Sequence, residues 1–226
     1  MRKFLWKRLA AGALVGCLLV VLSACGGLSE TDAETYVKGH LDAAYLGIYD
    51  KAYIDLVEDM TEDDARELHE SNVSDETEYY LLDFLAIDYP NDEMVERAKE
   101  VMEKIYAKSK YTVGTGSKTK DGDFVVEVTV SPLDLYSLLT DDDFYDALDQ
   151  AGFDEAETEE EYEAVDAIYG PLMLDLLEDR LDDVEYGEDQ IIMLQLKKDA
   201  DGYALVEAGM QKVDEVMVDY SGAYSK

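Results

Sequence analysis

Twice along this chain the spacing of apolar residues changes from the helical period to the strand period and back, which limits the folds open to it. Over residues 32–49, Ala33, Tyr36, Val37, Leu41, Ala44, Tyr45 and Ile48 share one helical face. A less regular stretch follows to Met60. Thr61 then opens a second helix carrying Ala65 and Leu68, and Ser74 or Asp75 opens a third carrying Tyr80, Leu81, Phe84 and Leu85. Tyr89-Pro90-Asn91 stops that helix and starts the next, because proline cannot continue a helix and asparagine can cap one. The next helix reaches about Ser109 and shows Val95, Ala98, Val101, Met102, Ile105 and Tyr106. The period then falls to two. Residues 111–116 and 124–130 flank the turn Lys120-Asp121-Gly122-Asp123, with Phe124, Val126, Val128 and Val130 on one face and Val125, Glu127 and Thr129 on the other. Helical spacing returns over 141–151 and 159–184, the second interrupted at Gly170-Pro171. A second hairpin joins 191–196 to 203–207 through the turn at 199–202, and a short last helix carries Met210, Val213 and Met217.

This order predicts an α+β fold in which the two hairpins join into one antiparallel sheet with helices packed on one face. Residues 31–226 are expected to form one domain. The alternative is a pair of helix-plus-hairpin halves, 31–133 and 140–226, suggested by the similar openings Tyr111-Thr112-Val113-Gly114 and Val184-Glu185-Tyr186-Gly187.

The amino terminus has a different layout. Four basic side chains precede an apolar run over residues 9–22, and Leu22-Ser23-Ala24-Cys25 closes it. A basic end, an apolar middle and small residues at the cut make a secretory signal, and the run is shorter than the roughly 20 residues of a membrane span. Leu22-Ser23-Ala24-Cys25 resembles the lipobox of bacterial lipoproteins. The resemblance implies cleavage after Ala24, lipidation of Cys25, and residence on the outer face of a cell membrane. Residues 1–24 are then a signal and 25–30 a short tether. Two acyl chains suffice for stable attachment where one does not. Cys17 leaves with the signal, so no internal disulfide is available to the mature chain.

Removing the signal leaves 15 basic against 54 acidic residues, a formal net charge of −39. Such a surface excludes nucleic acid as a partner and disfavours anionic lipid, since both repel it within a Debye length of ~8–10 Å. Much of the acidity has a local origin. Thr31/Glu34, Thr61/Asp64, Thr140/Asp143 and Thr158/Glu161 match the helix capping box or its aspartate variant, and the surrounding carboxylates face the positive end of the helix dipole.

No catalytic, cofactor-binding or metal-ligating set is assigned. The histidines are His40 and His69; His69-Glu70 begins a zinc-protease motif, but Val73 stands where its second ligand belongs. Gly114-Thr115-Gly116-Ser117 precedes no helix that could bind phosphate. Asp199 and Asp201 fit two positions of a calcium loop whose remaining positions are wrong. Tyr45, Tyr49 and Tyr53 repeat every four residues and offer a speculative aromatic wall for a ligand, although tyrosines at such spacing also serve as core or rim packing.

The lipobox, the segment Glu34-Thr35-Tyr36-Val37-Lys38, the strand Lys110-Tyr111-Thr112-Val113 and the Lys120–Asp123 hairpin together resemble a group of uncharacterised lipoproteins of Gram-positive bacteria. That resemblance implies an α+β domain similar to the nuclear transport factor 2 or cystatin type and carries no catalytic residues. The first expectation is a membrane-anchored, non-enzymatic binding or interaction domain for an envelope protein or small ligand, with its pocket between sheet and helices. The alternatives are an envelope hydrolase using a carboxylate pair, and a purely structural lipoprotein.

Overall fold

Side-chain caps set the helix starts. The computed structural model describes residues 27–198 and 202–225. Its helices are α1 (Glu30–Leu46), α2 (Lys51–Ile54), α3 (Glu62–Tyr79), α4 (Asp92–Tyr106), α5 (Asp141–Ala151), α6 (Glu159–Arg180) and α7 (Glu207–Met217). Thr61, Thr140 and Thr158 each close a full capping box on α3, α5 and α6, as their spacing predicts. On α1 the box falls two residues earlier than expected. Ser29 and Asp32 form it, with Asp32 N–H donating to Ser29 Oγ at 3.1 Å and Ser29 N–H to Asp32 Oδ2 at 2.9 Å. Serine and aspartate at that spacing make the same kind of box as Thr31 and Glu34 would, two residues nearer the start of the chain, and starting there lets Leu28 bury its side chain.

The strands are β1 (Lys110–Lys118), β2 (Phe124–Ser131), β3 (Leu133–Asp134), β4 (Glu185–Tyr186), β5 (Gln190–Lys198), β6 (Tyr203–Leu205) and β7 (Val218–Asp219). The two hairpins join as predicted: the four-stranded sheet runs β1-β2-β5-β6, antiparallel throughout, with Val126 opposite Leu194 and Val128 opposite Ile192. Phe124, Val126, Val128 and Val130 face inward, together with Ile192, Leu194 and Leu196, and α1 and α7 pack over them. This face is filled by buried side chains. The opposite face stays open, with Ile191 and Met193 exposed.

Three further outcomes depart from the sequence reading. Ser74 and Asp75 start no new helix; α3 runs unbroken through them, because its capped start and buried Ala65, Val73 and Thr77 sustain one continuous face. Pro171 does not break α6, which crosses α4 at Gly170; a Cβ there would lie 2.5 Å from Met94 Sδ. Finally, β3, β4 and β7 form a second, three-stranded sheet in which β3 and β7 are parallel. The two similar openings thus have different roles, Tyr111 pairing in the large sheet and Tyr186 in the small one.

The start of α1 sits tightly on β1. A Cβ on Gly116 would lie 2.5 Å from the Glu30 carbonyl oxygen, and the strand register slips between Val113 and Gly116 to permit this approach. Gly116→Ala is therefore expected to lower stability by about 1–3 kcal/mol, since backbone cannot move aside as a side chain can. Ser29→Ala should cost about 1 kcal/mol and Thr31→Ala within about 0.5 kcal/mol, the reverse of what the Thr31 box would require. Urea titrations of the three variants check both statements.

Candidate functional site

Two carboxylates sit where a helix normally places apolar side chains. Glu76 lies on the stripe of α3 that carries Val73, Thr77 and Tyr80, and Asp214 on the stripe of α7 that carries Met210, Val213 and Met217. Three tyrosines from other elements enclose them. Tyr220 Oη–H donates to Glu76 Oε1 at 2.7 Å, the Tyr106 hydroxyl bonds the same carboxyl, and the Tyr45 hydroxyl donates to Asp214 Oδ1. Tyr45 and Tyr106 are buried and meet edge to face, their ring centres 5.3 Å apart. Asp214 Oδ2 is buried without a hydrogen-bond partner.

The surroundings favour the protonated acids. Burial pushes the Glu76 carboxyl up to about 7; the charge of Asp214 adds to this, and the hydrogen bonds from Tyr220 and Tyr106 pull the other way. Burial likewise pushes Asp214 up to about 6, against the hydrogen bond from Tyr45 and with the charges of Glu215 and Asp75. The tyrosine hydroxyls are pushed well above their ordinary value, again chiefly by burial, so they remain donors. The cluster can hold and release protons near neutrality.

On its outer side the cluster leads into an aromatic surface. Tyr220 packs against Tyr79, Tyr80 and Phe84 at ring-centre distances of 5.4, 6.0 and 5.1 Å, and Phe84 against Phe144 at 5.9 Å. The segment Tyr80–Phe84 is a π-helix, closed by Leu85 N–H on the Tyr80 carbonyl at 2.9 Å and followed by Ala86 in the left-handed region at φ 55°. Single π turns and strained non-glycine residues concentrate at functional sites. Tyr79 and Leu82 are about two-fifths exposed here. The signal for this site was one acidic residue on each buried stripe, together with the run 79–85, apolar but for Asp83; neither has a periodicity that singles it out.

A separate open cleft of about 530 Å³ lies between α4 and α6, lined in part by Arg97, Glu100, Pro171 and Asp175. Arg97 is already paired there with Glu178 and with Asp175 at 3.3 Å. None of the acid–tyrosine cluster lines this cleft.

The tyrosines of the expected wall are placed apart. Tyr45 serves Asp214, Tyr49 is half-buried beneath the Arg66 guanidinium, and Tyr53 is buried with its hydroxyl 3.1 Å from His40 Nδ1. Burial lowers His40 to about 4, and its Nε2 has no partner. His69 Nδ1 lies 3.0 Å from the Ala44 carbonyl, beside Asn72, and so caps the last turn of α1. No group of three or more histidine, cysteine, aspartate or glutamate side chains among the described residues is arranged to hold a metal ion. Leu22, Ser23, Ala24, Cys25 and the Asp199–Asp201 turn lie outside the described residues.

No protein-family model and no curated protein sequence matches the chain. Its fold is similar to that of a Bacillus subtilis protein, ycdA, whose crystal structure is described as that of a "putative lipoprotein". The TM-score is 0.56 at 18% identity, over 83% of this chain and 56% of that one. This chain therefore spans just over half the length of the Bacillus protein, and the likeness is one of fold.

The folded state keeps the Glu76 and Asp214 protons above the ordinary carboxylate values of 4.5 and 3.8, so it binds more protons than the unfolded chain from about pH 4 to 7. Their contribution to stability is lost as pH rises through that window. His40 acts oppositely: the unfolded chain binds its proton below 6.5 and the folded chain only near 4, so acidification through that range destabilises. Glu76→Gln with Asp214→Asn is expected to remove much of the decline in melting temperature between pH 5.5 and 8. A slope unchanged from the parent chain would show that these carboxyls are ionised throughout.

Proposed function

We propose that this chain is a lipoprotein, held through acyl chains on Cys25 at the outer face of a cell membrane, where it displays a non-enzymatic interaction domain. The signal layout and Leu22-Ser23-Ala24-Cys25 support the anchor, and α1 begins at Glu30, within a few residues of that cysteine. The fold likeness to a protein described as a lipoprotein is consistent with this address. No helix among the described residues is long and apolar enough to cross a membrane.

The placement of Glu76 and Asp214 carries the choice between interaction and hydrolysis. A glycosidase pair must flank its substrate, one carboxyl on each side of the scissile bond. Here tyrosine hydroxyls occupy the approach to both carboxyls, and the open cleft lies elsewhere. What the cluster presents outward is apolar surface at Tyr79 and Leu82, suited to contact with an envelope partner.

Labelled palmitate should enter the parent chain and be absent from Cys25→Ala; label retained in that variant sinks the anchor. A photo-crosslinker at Tyr79 should trap an envelope partner on intact cells, whereas one at exposed Glu58 should not. Trapping should survive Glu76→Gln with Asp214→Asn. Cleavage of wall polymer by the parent chain, lost in that double variant, would choose the hydrolase instead.

A further inference from the structure

The acidic chain gathers four exposed lysines at one end, and it is the end from which the anchor leaves. Leu28 is buried and Ser29 caps α1, so two residues of sequence, Gly26 and Gly27, separate the domain from Cys25. Three steps of chain reach at most about 11 Å. The start of α1 is fixed to the sheet at the C-terminal end of β1: the Glu30 carbonyl meets Gly116, and Glu30 Oε1 accepts from Lys118 N–H at 3.1 Å. The two hairpins turn at this same end. Lys198 N–H donates to Asp123 Oδ1 at 2.9 Å, the Tyr203 hydroxyl donates to the Gly122 carbonyl at 3.2 Å, and the Lys198 stem runs past Gly122.

Four lysines, Lys118, Lys120, Lys197 and Lys198, are exposed at this end. Elsewhere among the described residues the basic side chains are spoken for. Lys38, Lys51, Arg66, Arg97, Lys99, Lys104, Lys108, Arg180 and Lys212 all stand in ion pairs, and Lys110 lies over the Tyr186 ring. None of the four lysines has an acidic partner among the described residues; Lys118 lies 5.2 Å over the Phe124 ring. Asp123 turns both carboxylate oxygens inward, onto Lys198 N–H and onto Gln195 Nε2 at 2.8 Å. Against the four lysines stand Glu30, Asp121 and Asp123, with Asp199 and Asp201 next in sequence, so four positive charges meet five negative ones here, in a mature chain of net −39.

We infer that the anchored domain stands with this sheet end against the bilayer, Lys118, Lys120, Lys197 and Lys198 meeting anionic lipid headgroups. The inference rests on the proposed anchor at Cys25. A tether this short holds some face of the domain within a Debye length of the headgroups, and this end offers exposed lysines without acidic partners among the described residues. Lysines so placed attract anionic lipid individually, and the short tether removes most of the entropic cost of bringing them there.

The lipidated mature chain has no other cysteine, so Lys120→Cys and Glu188→Cys each give one reactive thiol. Glu188 lies two residues beyond the far end of β5, a strand whose length to Lys198 is roughly 27 Å. Each is labelled with a fluorophore in vesicles containing anionic lipid and a headgroup-bound quencher. Quenching at position 120 should exceed that at 188 several-fold. Lys118→Glu, Lys197→Glu and Lys198→Glu together should erase most of the difference, as should vesicles of neutral lipid alone. Equal quenching at both sites, or stronger quenching at 188, overturns the orientation; a difference indifferent to the glutamates and to lipid charge overturns the role of the lysines. The mass of the Cys25 peptide reports the anchor separately. If it carries no lipid, an amino-terminal histidine tag on chelating lipid poses the same question, and the same outcomes decide it.

Discussion

Strand β2 is paired along both edges, to β1 and to β5, and its inward side chains Phe124, Val126, Val128 and Val130 are completely shut off from solvent. Helices α1 and α7 close over that face, and the remaining helices build outward from α1. With no cysteine among the described residues, this apolar layer must outweigh both conformational entropy and the mutual repulsion of 54 carboxylates. Capping boxes reduce the repulsion by giving acidic residues backbone N–H groups to face. Bidentate pairing of Arg180 with Asp143, at 2.7 and 2.8 Å, adds a clip between α5 and α6.

Elements governed by neighbours in sequence were legible. Thr61, Thr140 and Thr158 announce their helices because a cap is a four-residue arrangement, and the hairpins announce themselves through alternation around glycine turns. Where distant parts of the chain decide, the sequence was silent. Gly170-Pro171 reads as a break, yet Met94 and Ile87 on a remote segment hold α6 together there. The pairing of Leu133 with both Tyr186 and Val218 involves strands of two residues, too short to show a period. The acid–tyrosine cluster was hidden for the same reason. Glu76 and Asp214 are two carboxylates among many, distinguished only by Tyr45, Tyr106 and Tyr220 arriving from elsewhere.

Net charge gave a similar lesson. A formal −35 describes the molecule from a distance beyond the Debye length, and at that range anionic lipid is a poor partner. Within it, what matters is which carboxylates are already engaged. Asp123, Asp143 and Asp219 spend their oxygens on backbone or side-chain donors, while Lys120 and Lys197 point into water.

The π turn at Tyr80–Phe84 also changes how the chain leaves α3. A π turn takes up one more residue than a helical turn needs, and one residue corresponds to 100° of rotation about the axis. The chain beyond Phe84 therefore departs in a direction that an unbroken α-helix would not have given. That direction brings the N–H groups of Asp88 and Tyr89 onto Asp166 Oδ2 of α6, each at 2.9 Å. Loss of a single residue between 80 and 84 would act less as a shortening than as a turn of the wrist, swinging the hand that grips α6 away from it.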